Sequence, residues 1–161
     1  GTPCKICDTR KTTSGLRVLD KYAVTCGGGT SHRMGLADAA LFKDNHIAAC
    51  MDYKAQLGDA IANVDTTCNP DFIEVEVDTL EQLEEVLSLP VDIILLDNMP
   101  QELLKQAVKL RDASEFSPLL EASGGVTLDS VQGIAETGVD RISIGGLVHQ
   151  ATWLDIGLDA L

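Results

Sequence analysis

No apolar run in this sequence approaches the roughly 20 residues that a bilayer-spanning helix needs, so no membrane partner is expected. The opening residues also lack the basic-then-apolar order of a secretory leader. They begin Gly1-Thr2-Pro3 with no methionine, as expected of a fragment or a processed product. The five cysteines are an odd number, which makes a disulfide framework unexpected, and a reducing, cytoplasmic compartment fits better. Cys4 and Cys7 form a lone C-x-x-C. On a strand, residues three apart face opposite sides, and a single pair cannot complete a tetrahedral metal site. Basic residues are scarce beyond residue 43, with five against 22 acids, and the net charge is −13. That balance argues against nucleic acid as a partner. No linker or low-complexity tract interrupts the 161 residues, and 45% hydrophobic content is enough for one core, so residues 1–161 read as a single domain.

The first 43 residues reverse the charge, with Lys5, Arg10, Lys11, Arg17, Lys21, Arg33 and Lys43 against Asp8, Asp20 and Asp38. Such a basic third suggests a local site for a small anion, or simply solvated faces. Strand-like runs ("KICDTR", "ALFKDN", "FIEVEV", "DIILLDN", "LLEASGG", "RISIGG") alternate with amphipathic segments. Thr79 with Gln82 reads as a capping box, Pro100 as a first helical residue and Gly138 as a left-handed cap. This alternation implies βαβ units and parallel strands. From residue 72 onward each strand ends in polar or glycine residues, the habit of (β/α) barrels whose chemistry sits at the C-terminal strand ends. The expected fold is therefore α/β: a TIM-barrel-like (β/α) barrel of six to seven parallel strands, incomplete relative to the eightfold form. In "FIEVEVD", Ile73, Val75 and Val77 would meet helices, while Glu74, Glu76 and Asp78 would line the interior and need cations or metal there. The competing picture is a surface strand with its acids in water.

Several residues carry possible chemistry. Arg10 and Lys11 end the first strand, and three glycines precede His32 and Arg33, which are donors suited to carboxylates. Lys43, near His46, is a candidate clamp or Schiff-base nucleophile. Glu76 and Asp97 form a plausible oxygen site for Mg²⁺, or else a structural salt bridge. The turns at Ser123-Gly124-Gly125 and Gly145-Gly146 match the phosphate cradle of many barrels.

With these residues in place, the sequence resembles quinolinate phosphoribosyltransferase, also called nicotinate-nucleotide pyrophosphorylase (carboxylating). The matching motifs are "DTRKTT-GLR", "KYAV-CGGG--HRMGL-DA-L-KDNH", "EVEVD", "LLDN", "EASGG" and "ISIGGL", in this order over nearly the whole chain. Ser14 departs from the proline common in the family. The resemblance covers the catalytic barrel only. Family members carry an N-terminal α/β domain ahead of it, and the partner subunit's copy contributes an arginine to the active site, which implies a homodimer or higher homo-oligomer.

The implied reaction joins quinolinate and phosphoribosyl pyrophosphate into nicotinate mononucleotide, CO₂ and pyrophosphate, with Mg²⁺, in NAD biosynthesis. Arg10, His32, Arg33 and Lys43 would neutralise quinolinate. Lys11, Glu76, Asp97, Ser123, Gly124, Gly125, Gly145 and Gly146 would hold the phosphoribosyl donor. Lys11, Lys43, Glu76 and Asp97 would act in catalysis, and Glu76 and Asp97 would hold the metal. Competing readings are a nicotinate-type relative acting on a monocarboxylate, a Schiff-base aldolase using Lys43, and a phosphosugar-binding module without turnover.

Overall fold

The structure, a computed structural model, describes residues 1–43 and 53–158. Six strands, β1 (Lys5–Cys7), β2 (Ala40–Phe42), β3 (Ile73–Val77), β4 (Ile93–Asp97), β5 (Leu119–Ser123) and β6 (Arg141–Ser143), form one sheet. All pairs are parallel and the order is β1-β6-β5-β4-β3-β2. That is the cyclic order of a (β/α) barrel, opened between β1 and β2. At the opening Thr30 bridges Cys7 in parallel, receiving the Asp8 amide at 3.2 Å and donating to the Ile6 carbonyl at 2.8 Å. All six strand runs read from the sequence are thus present.

Helices α1 (Arg17–Cys26), α2 (Tyr53–Cys68), α3 (Leu80–Val86), α4 (Gln101–Asp112), α5 (Leu128–Ala135) and α6 (Gly146–His149) fill the connections. Thr79 caps α3 by accepting from the Gln82 amide at 3.3 Å, but the Gln82 side chain accepts from Asp78 rather than from Thr79, at 2.7 Å. Pro100 stands one residue before α4 with an extended ψ of 157°, so it is the N-cap and not the first helical residue. Gly138 takes φ +97° after α5, as its cap reading requires.

The period-two pattern of β3 sorts its side chains, and all five residues from Ile73 to Val77 are buried. Ile73, Val75 and Val77, with Ile94, Leu96, Leu120, Ala122 and Ile142, pack against Leu57, Ile61, Leu83, Val86, Leu104 and Ala107 of the helices. This layer is the hydrophobic core. The opposite face of the sheet carries Glu74, Glu76, Asp97, Glu121, Ser123 and Arg141. The expected third acid does not join it: Asp78 is exposed, one residue past the end of β3. Among the described residues no helix is long and apolar enough to cross a membrane.

Candidate active site

His32 follows the glycine-rich turn, and all its polar atoms are engaged. Its amide donates to Asp8 Oδ1 at 2.8 Å, and its carbonyl accepts from Lys21 Nζ at 3.0 Å. Asp8 and Lys21 are themselves an ion pair with side chains 0% and 2% exposed. The ring Nδ1 accepts from the Arg33 amide at 2.8 Å. Nε2 lies 3.2 Å from Glu74 and 3.3 Å from Glu121, and Glu121 meets Arg141 Nε at 2.9 Å. Phe72 closes the cluster, edge-on to the imidazole at 5.5 Å and beneath the Arg141 guanidinium at 5.9 Å.

These contacts set the protonation of the cluster. Glu74 and Glu121 are both 0% exposed, and one guanidinium balances only one of them. Burial pushes the Glu74 carboxyl up. Burial disfavours a charged His32 ring, while contacts with Glu121 and Glu74 favour one. The Arg33 amide opposes a second ring proton, because an imidazolium would set Nδ1–H against N–H at 2.8 Å. Hydrogen-bond direction decides between the two: the ring is neutral with its proton on Nε2, and the extra proton rests on Glu74. Nε2–H then divides between two acceptors, so neither carboxylate receives a well-directed bond.

Arg33 projects from this fixed backbone. Its Nη1 donates to the Ala39 carbonyl at 3.0 Å. Burial first, and then the charge of Arg10, lower its affinity for its proton. Arg10 is half-buried, and its Nε has no hydrogen-bond partner among the described residues. Two guanidinium groups that feel each other's charge, with no carboxylate bonded to either among the described residues, are suited to a carboxylate-rich anion. Arg17 ties the two loops together, donating to Thr12 Oγ1 at 3.1 Å and to the Met34 carbonyl at 3.4 Å.

At the C-terminal strand ends, half-exposed Lys43 forms an ion pair with buried Glu76. That contact ties the Lys43 side chain to a carboxylate on the neighbouring strand. His46 lies outside the described residues. Asp97, on the inner face of neighbouring β4, is half-buried and accepts from the Asn98 carboxamide at 2.6 Å. Asn98 has φ +53° and donates its amide to the Ser123 carbonyl at 2.8 Å, while Gly124, at φ +98°, lies directly over it. A Cβ at Gly124 would strike the Asn98 carboxamide and come within 3.0 Å of the Asn98 amide. The Asp97 carboxylate and the Ser123–Gly125 turn are therefore one unit. Exposed Lys11 runs over Gly145, where an added Cβ would sit 3.2 Å from its Cδ, so the two stand together beside Gly146.

Among the described residues two places offer metal ligands. Glu76 and Asp97 sit on adjacent strands of one sheet face and bring only carboxylate oxygens, the donor type Mg²⁺ prefers. His32, Glu74 and Glu121 also bring ligand atoms within 4.8 Å of one another, but they do not fit a metal. A histidine bound through Nε2 carries its proton on Nδ1, where the Arg33 amide already donates, and the Arg141 guanidinium stands beside Glu121. Five residues of the site had escaped sequence reasoning: Asp8, Lys21, Asn98, Glu121 and Arg141. Four of them stood inside the matched motifs, Asp8 opening "DTRKTT", Lys21 opening "KYAV", Glu121 in "EASGG" and Asn98 in "LLDN", but nothing in those letters showed what each would touch.

The chain is similar to known proteins. Residues 1–159 match the family described as Quinolinate phosphoribosyl transferase, C-terminal domain. A nicotinate-nucleotide pyrophosphorylase [carboxylating] of Mycobacterium leprae (strain TN) is 48% identical over 99% of this chain and 55% of its own length. A protein of Nicotiana tabacum named quinolinate phosphoribosyltransferase [decarboxylating] 2b, mitochondrial, is 42% identical over 97% of this chain and 48% of its own. A crystal structure of nicotinate-nucleotide pyrophosphorylase from Ehrlichia chaffeensis superposes with a TM-score of 0.86 at 46% identity, covering 99% of this chain and 56% of that one. The chain thus spans about half the length of the relatives it matches.

Proposed function

The chain belongs to the quinolinate phosphoribosyl transferase C-terminal domain family, and from that premise we propose that it is the catalytic barrel of an enzyme transferring phosphoribosyl from phosphoribosyl pyrophosphate to quinolinate. Loss of CO₂ and pyrophosphate would yield nicotinate mononucleotide for NAD biosynthesis. The observation that carries this reading is that Arg10 and Arg33 feel each other's charge while neither bonds a carboxylate among the described residues. A pyridine diacid supplies the two negative charges that such a receptor lacks.

In this proposal Arg10 and Arg33 bind the carboxylates of quinolinate, and Lys43 adds a third cation at the reacting end. Lys11 with Gly145 and Gly146, and Ser123 with Gly124 and Gly125, take the phosphate groups of the donor. Departure of pyrophosphate builds positive charge on the ribose, as in glycoside cleavage. Glu76 and Asp97 face that charge, and fixed carboxylates stabilise it without reorganising. Mg²⁺ at Glu76 and Asp97 would neutralise the leaving pyrophosphate. Holding two anions against each other supplies much of the acceleration, and no covalent nucleophile is needed. The N-terminal α/β domain of the family would complete the site across a homodimer in the cytoplasm.

The test joins this chain to the N-terminal domain of a relative and measures nicotinate mononucleotide formation. Losing one charged contact to the substrate costs about 1.5–3 kcal/mol, or about 10- to 150-fold in kcat/KM. Arg33→Ala and Lys43→Ala should each show such a loss. Wild-type rates in both, or equal use of nicotinate, would overturn the assignment.

A further inference from the structure

We propose that Glu121 is a positioning residue for this site: clamped by Arg141, it acts with Glu74 to hold His32 as the Nε2–H tautomer, and that tautomer fixes the Arg33 backbone behind the anion receptor. The proposal rests on the reading of Arg10 and Arg33 as that receptor.

With its amide on Asp8, its carbonyl on Lys21 and its ring against Phe72, His32 has one remaining freedom, the choice of protonated ring nitrogen. A proton on Nδ1 would oppose the Arg33 amide at 2.8 Å and turn the Nε2 lone pair toward two acids at 3.2 and 3.3 Å. A proton on Nε2 satisfies both sides. An ionised carboxylate only accepts, so Glu121, with one oxygen 3.3 Å from His32 Nε2 and the other 2.9 Å from Arg141 Nε, dictates that choice. The charged groups facing the imidazole are Glu74 on β3 and Glu121 on β5, with Arg141 on β6 behind Glu121 and Arg33 on the loop. Phe72 touches both ends of the relay, so the ring and the guanidinium cannot shift independently.

Glu121→Gln keeps the shape and breaks the logic. A carboxamide offers one oxygen and one NH₂ to two nitrogens, His32 Nε2 at 3.3 Å and Arg141 Nε at 2.9 Å, so its NH₂ must oppose one of them. The experiment uses the full-length enzyme with ¹⁵N-labelled histidine. Wild type should show a neutral His32 protonated on Nε2 at pH 7. The Gln variant should shift toward Nδ1–H or imidazolium, with KM for quinolinate raised roughly tenfold or more and KM for phosphoribosyl pyrophosphate unchanged. Glu121→Asp, still acceptor-only, should keep the wild-type tautomer. An imidazolium or Nδ1–H form in wild type overturns the proposal even if no variant folds, as does an unchanged tautomer in Glu121→Gln. Absence of nicotinate mononucleotide formation by wild type would instead sink the functional reading, leaving the tautomer result to stand by itself.

Discussion

Replacing Lys21 by methionine removes the cation of the Asp8–Lys21 pair while roughly keeping its volume. Both side chains are almost wholly out of water, at 2% and 0% exposure, so the stranded carboxylate cannot be rescued by solvent. Breaking a buried pair in this way costs about 3–5 kcal/mol. Asp8 would keep the His32 amide at 2.8 Å and a long contact to Ser31 at 3.4 Å, which favours the lower end, about 3 kcal/mol. For a chain of this size that lowers Tm by about 6–12 °C, read by calorimetry and checked by urea titration. Adding Asp8→Asn removes the stranded charge, and the double variant should recover more than half of the loss. Screening reaches buried charges weakly, so added salt should not mimic the substitution. A single variant within about 1 kcal/mol of wild type, or a double no better than the single, would show that the pair is not the anchor of the His32 loop.

The His32–Glu74 pair gives a pH dependence of definite sign. With the ring neutral, the group raised on folding is Glu74, upward from 4.5 because of its burial. The folded chain therefore holds there a proton that the unfolded chain has released, and stability present below about 4.5 should be lost as pH rises through the raised Glu74 value. Denaturant midpoints that stay flat or climb over that window would contradict it. Gly124→Ala forces a side chain into a φ of +98° and onto Asn98, with an expected cost of about 1–3 kcal/mol. KM for phosphoribosyl pyrophosphate should rise because Asp97 loses its support, and unaltered kinetics would separate Asp97 from the turn. Thr79→Ala removes the α3 cap and should cost about 1 kcal/mol in urea unfolding, with activity untouched.

The six strands were legible because each pairs a short apolar run with a polar end, a pattern that needs no tertiary information. Helix α1 was not, since Leu16 at its N-cap supplies no capping side chain and Val18, Leu19 and Tyr22 are exposed. Within the site, Arg10 and Arg33 stood out as cations beside turns. Glu121 and Arg141 did not, because their meeting depends on the β5–β6 register that sets them opposite each other. Asp78 misled because strand alternation says nothing about where the strand stops. The support of Asp97 by Asn98 depends on a left-handed backbone that the letters "LDN" do not announce.

The alternation within β3 gives the protein a division of labour. Its odd-numbered residues join the sheet to the helices, and its even-numbered ones, Glu74 and Glu76, meet His32 and Lys43 on the opposite face. Cohesion and chemistry are thus written on the same five residues without competing for any one of them. Changes at the odd positions therefore act on cohesion with the helices, whereas any change at Glu74 or Glu76 also disturbs a buried charged contact, to His32 or to Lys43.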